Sequence, residues 1–130
     1  MSGLRIISSI VLCIYIAALG FLCFSRPDEL PQISMTWFGL PGDKIGHLLM
    51  FLPFPALTFN VTGSRKWSFT RQVIVICGIM ACGTMIAMGT EYIQGFLDYR
   101  SSEPMDVVAD ICGIITGGII CIIYLRRSKE

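Results

Sequence analysis

The sequence predicts an all-α, integral membrane four-helix bundle. Three observations carry that expectation. Hydrophobic residues make up 54% of the 130-residue chain and charged residues only 15%, against about a quarter in ordinary soluble domains. A soluble fold of this length has no interior large enough for that much apolar surface. The apolar residues also fall into runs near 4–24, 44–61, 72–97 and 105–125, each close to the roughly 20 residues that span a hydrocarbon core as a helix. No strand-like alternation competes with them, and residues 1–130 read as a single membrane domain.

In the first run, Arg5 precedes an uncharged stretch from Ile6 to Phe24. That is longer than the apolar region of a cleaved signal, and no small-residue cleavage motif follows, so it should stay as an anchor. In the second run His47 is the only titratable group beyond the first position. Pro53 and Pro55 should kink or distort this helix, because each removes a backbone donor. The third run is uncharged from Gln72 to Thr90, and the fourth is uncharged after Asp110. The cysteines at 13, 23, 77, 82, 112 and 121 all sit in apolar runs without a C-x-x-C pair, and should act as small hydrophobes rather than as a disulfide or zinc framework.

Basic residues set the expected orientation. Arg5 lies before the first span, Arg65, Lys66 and Arg71 lie between the second and third, and Arg126, Arg127 and Lys129 follow the fourth. The other two connections hold Asp28, Glu29, Asp43, Asp98 and Glu103. Both termini should therefore be cytoplasmic, with 25–42 and 98–104 facing outward, and the expected compartment is the bacterial cytoplasmic (inner) membrane. Trp37, Phe38 and Leu40 should rest the first outward loop on the headgroup layer. The Asn60-Val61-Thr62 sequon falls on the cytoplasmic side in this topology and reads as chance. A net charge of +1 gives no field for nucleic acid, and no nucleic-acid partner is expected.

In this topology the polar residues at the membrane edge share one depth. Asp106, Asp110, Gly113 and Gly117 are spaced by four, three and four, forming one helical stripe, acidic at the outer end and glycine-lined below. Thr84, Ala87, Glu91 and Gln94 share a face of the third span, and Asp43 and His47, at i and i+4, should meet on the second. Several of these have bland readings. Asp43, after Pro41-Gly42, resembles an N-cap. Asp106 suits the first turn of a helix, with Ser101 or Ser102 as its cap and Pro104 just inside. Lys44 can simply snorkel to the headgroups, and Glu103 reads as a solvated loop charge. His47, Glu91 and Asp110 lie within the spans, where an ionisable group is costly and faces the interior with a partner. Arg100 is the expected counter-charge for Glu91 or Asp106.

The order Asp43-Lys44-x-x-His47, Glu91-x-x-Gln94, Arg100, Asp106 and Gly113-x-x-x-Gly117 resembles that of the VanZ-like membrane proteins, over roughly residues 43–118. One departure is Asp110, where the family usually has Asn, four residues after the fourth-span Asp. The resemblance implies a role in the cell envelope and leaves the reaction open.

The expected binding set is Asp43, Lys44, His47, Glu91, Gln94, Arg100, Asp106 and Asp110, in an outward polar pocket that holds a lipid or cell-wall precursor headgroup. The expected partners are membrane lipids and lipid-linked envelope precursors. The alternative is a small membrane enzyme on such a headgroup. His47 would then be the acid or base, given the near-neutral pKa of an unperturbed imidazole, and Glu91, Asp106 and Asp110 would orient it or hold a divalent cation. Ser-His-Asp order, H-E-x-x-H and a phosphate-cradling glycine loop are all absent from the sequence. The cytoplasmic half of the spans has no charged relay for a transporter.

Overall fold

A computed structural model of the chain describes residues 3–29 and 36–130, without the side chains of Pro27 and Trp37. Helix α1 (Gly3–Phe24) leads through a short 3-10 turn to a small hairpin, β1 (Thr36–Trp37) and β2 (Leu40–Pro41). Helices α2 (Gly42–Phe51), α3 (Phe54–Thr62), α4 (Phe69–Gln94) and α5 (Pro104–Arg127) follow. Four segments are long and apolar enough to cross a membrane: α1, α2 with α3 taken together, α4 and α5. The fold is an all-α four-helix membrane bundle.

The second span is broken rather than merely bent. Pro53 and Pro55 have no N–H, so the carbonyls of Leu49 and Phe51 lose their helical donors. Leu52 and Pro53 keep right-handed helical backbone angles, which lets the two pieces serve as one span. A neighbour supplies a donor beside the break, where the Tyr15 hydroxyl donates to the Met50 carbonyl at 2.6 Å.

The hairpin corrects the expectation of a strand-free chain. Thr36 pairs with Pro41 and Trp37 with Leu40. The two residues between them, Phe38 and Gly39, both have positive φ, 52° and 76°, the signature of a tight type I′ turn. Strands of two residues are too short to leave a periodicity in the sequence. Phe38 is 99% exposed at the tip. Residues 30–35, in the loop expected to face outward, lie outside the described residues.

Helix α5 forms the centre of the bundle, packing on α2, α3 and α4, while α1 packs on α3 and α4. Its buried residues include Asp106, Asp110, Gly113, Gly117, Cys121 and Leu125, one stripe at spacings of three and four. The glycines on it are there for the neighbouring backbone. A Cβ on Gly113 would lie 2.2 Å from the Leu48 carbonyl oxygen, and one on Gly117 would lie 2.0 Å from that of Leu52. The α2–α5 contact is thus backbone against backbone.

Helix α4 buries Gln72, Ile76, Ile79, Gly83, Ala87, Glu91 and Gln94. Thr84 was expected on that face. Gly83 takes the place instead, against the Phe54 ring, and the Thr84 hydroxyl turns back to the Met80 carbonyl at 3.0 Å. The start of α4 also differs from expectation. Ser68 caps it through a 3.4 Å bond from the Arg71 N–H, and the helix ends at Gln94 rather than near residue 97. All the cysteines are free, with Cys23 and Cys121 in the core. The apolar side chains left exposed on α1, α4 and α5 form the surface that a bilayer would cover.

Candidate functional site

The glycine contact decides where the polar residues meet. Because α2 and α5 approach at their backbones, the first turns of the two helices stand side by side. His47 Nδ1 lies 2.9 Å from Asp110 Oδ1, and His47 Nε2 lies 3.5 Å from Asp106 Oδ2. The Lys44 ammonium makes a short contact with Asp106 Oδ1. It also lies 2.5 Å from Glu103 Oε2 and 3.0 Å from Asp43 Oδ2. Lys44, His47 and Asp106 are mostly covered, with side-chain exposures of 14%, 13% and 11%, and Asp110 is sealed at 2%.

Several expectations change here. Lys44 does not snorkel outward; its ammonium is held among three carboxylates. Glu103 is more than a loop charge, since it joins that group and is also the N-cap residue of α5, in place of Ser101 or Ser102. The signal was present in the sequence: Glu103 immediately precedes Pro104, a favoured first helical residue, and lies three residues before Asp106. Asp43 is not the cap of α2. Pro41 holds that position and makes no side-chain cap bond, because the chain enters directly from the hairpin. Asp43 and His47 also go separate ways, the carboxylate to Lys44 and the imidazole to α5.

Glu91, Gln94 and Arg100 lie at the same end of the bundle but serve helix termini. The buried Glu91 accepts the Glu103 N–H at 2.5 Å, placing a negative charge at the N-terminus of α5, where the helix dipole favours one. Gln94 donates to the Cys23 carbonyl at 2.6 Å, Tyr99 to Phe24 at 2.9 Å and Arg100 to Leu22 at 3.2 Å. These are the last three carbonyls of α1, which have no acceptor role within the helix itself. Arg100 is therefore a cationic cap on α1 rather than the counter-charge of Glu91 or Asp106, and Lys44 fills that role for Asp106. Tyr99, which sequence reasoning passed over, completes the cap.

The chemistry of the group follows from its inventory. Four carboxylates (Asp43, Glu103, Asp106 and Asp110) face one ammonium and one imidazole, so the group leans acidic. Oxygens of Asp43, Glu103 and Asp106 all lie within 4.8 Å of one another, which suits a divalent cation by donor type. The Lys44 ammonium, however, already contacts all three. A metal ion would have to displace it, so these residues in this arrangement do not fit one. At His47, an ionised Asp110 can only accept, so with Asp110 ionised the 2.9 Å contact puts the proton on Nδ1. That leaves Nε2, on the Asp106 side, as the nitrogen able to accept or exchange a proton.

Fold and site together define a small polytopic membrane protein with one buried polar group at an edge of its bundle. A family model described as VanZ/LLP1 matches residues 10–125, and the chain belongs to that family. It is also similar to an uncharacterised protein of Schizosaccharomyces pombe, 27% identical over 88 residues, which are 68% of this chain and 51% of the yeast protein. The chain thus spans about half the length of that relative. No solved structure matches it.

Proposed function

We propose that this chain is a membrane-resident binding protein whose polar edge holds the headgroup of a lipid or lipid-linked envelope precursor. The observation that supports it most is the Lys44–His47–Asp106–Asp110 group, built by two helices in backbone contact. Charges inside a span cost several kcal/mol each when unpaired, and an arrangement this acidic favours a ligand that brings hydrogen-bond donors or positive charge. On this reading the group faces outward and both termini lie in the cytoplasm. The S. pombe relative means that family membership does not by itself specify a bacterial membrane.

A second reading is a membrane enzyme acting on such a headgroup. Its support is the Asp110–His47 pair, in which one carboxylate fixes the tautomer and leaves Nε2 for proton transfer. One experiment separates the two. The purified protein and its Asp106→Asn and His47→Ala variants are incubated with total envelope lipids and followed by mass spectrometry. Binding predicts a co-purifying lipid class without turnover, lost in both variants at unchanged folding. New products that vanish with His47→Ala favour the enzyme. Neither lipid retention nor product in the wild-type protein removes both readings.

A further inference from the structure

The opposite end of the bundle carries a second feature, with the reverse chemistry. A cavity of about 400 Å³ opens between the first turns of α1 and the end of α3. Its charged lining residues are Arg5, Arg65 and Lys66, and Ser8, Asn60 and Ser64 add neutral polar groups. No carboxylate lines it, and none of the three cations forms an ion pair among the described residues.

The loop that carries two of these cations is anchored. Gln72, fully buried on α4, donates to the Ser64 carbonyl at 3.0 Å. The Ser64 hydroxyl accepts the Lys66 N–H at 3.2 Å. The Arg65 guanidinium lies over the Tyr124 ring of α5, 5.4 Å from its centroid. Arg5 reaches the Gly63 carbonyl at only 3.5 Å, at the outer limit of a hydrogen bond, so its planar fork keeps donors for another partner. Like charges held around a hollow without a counter-charge repel one another, and an anion relieves that cost.

We infer that this cavity binds the phosphate of a net-anionic headgroup at the face opposite the acidic group. Guanidinium and ammonium groups match phosphate oxygens in geometry and charge, and the cavity lies where α1 and α3 reach the membrane edge, the depth of lipid phosphates. The same chemistry could be met by a soluble phosphate ester, so the test carries both.

The full chain in a neutral detergent is titrated by native mass spectrometry with phosphatidylglycerol, with phosphatidylcholine of the same acyl chains, and with glycerol 3-phosphate as competitor. Phosphatidylglycerol should be retained preferentially. The double variant Arg65→Gln/Lys66→Gln should weaken retention by about twenty-five-fold, at about fivefold per cation. Ser8→Leu, which narrows the cavity without changing charge, should weaken it too, and it decides the matter if the double variant melts. Arg126→Gln/Arg127→Gln removes equal charge outside the cavity and should leave retention intact. Displacement by glycerol 3-phosphate would identify a soluble ester as the ligand source, and resistance to displacement a lipid. Equal retention of the two lipids, or an equal loss in the Arg126/Arg127 control, overturns the proposal.

Discussion

Lys44 is the residue on which the acidic group depends. Its side chain is mostly covered, and it is the only lysine or arginine paired with Asp106 among the described residues. Removing one partner of a covered ion pair leaves the other as an uncompensated charge, a cost of about 3 kcal/mol or more. Lys44→Gln should therefore destabilise the folded protein by about 3 kcal/mol in detergent unfolding. Asp43→Asn should stay within about 0.5 kcal/mol, because the Asp43 carboxylate is 58% exposed and exposed pairs contribute little. Adding Asp106→Asn to Lys44→Gln should recover part of the loss, since the orphaned charge is then gone. Additive losses in that double-mutant cycle would show that Lys44 and Asp106 do not act as a pair. Sequence reading placed His47, Asp106 and Asp110 on converging faces but gave Asp106 the wrong cation. Arg100 stands shortly before Asp106 in the chain, whereas Lys44 is 62 residues away from it. Which one turns inward depends on α1, whose last carbonyls draw Arg100 away, and that is a tertiary fact with no local signature.

At the scale of elements, the α2–α5 contact sets the geometry of everything above it. Gly117 faces a backbone oxygen, which cannot swing aside as a side-chain tip can. Gly117→Leu should therefore destabilise by about 3 kcal/mol, at the upper end of overpacking costs, and should also push Asp110 away from His47. Ile120→Leu, on an exposed face, should change stability by less than about 0.5 kcal/mol. Equal melting temperatures for the two variants in detergent would mean that the glycine face is not packed as described. This contact was legible in advance because small residues at i and i+4 below two acids are a pattern of the primary structure. The break at Pro53 was legible only in part, and the hairpin not at all. Prolines announce a distortion without saying whether the helix bends or stops, and two-residue strands have no period to detect. Gln72 was missed because a lone amide next to Arg71 reads as the polar start of a span, whereas here it is buried and anchors the loop before α4.

For the molecule as a whole, the two ends differ in charge and that difference should set its orientation. One end gathers Asp43, Glu91, Glu103, Asp106 and Asp110. The other carries Arg5, Arg65, Lys66, Arg71, Arg126, Arg127 and Lys129, with Glu130 as its counter-charge. Insertion machinery and the membrane potential retain basic flanks on the cytoplasmic side, and acids have little influence. With four spans, both termini must share a side, so the connections at 63–68 and 95–103 must lie on opposite faces. A cysteine-free variant carrying Ser101→Cys should then be labelled in intact cells by a membrane-impermeant thiol reagent. The same variant carrying Lys66→Cys instead should be labelled only after the membrane is opened. Both positions are exposed in the fold, so a missing signal reports the side of the membrane rather than burial. The reverse pattern would turn the molecule over. The acidic group would then face the cytosol and the basic cavity the outside, a headgroup from the outer leaflet could no longer reach His47, and the ligand would have to be sought among cytosolic molecules.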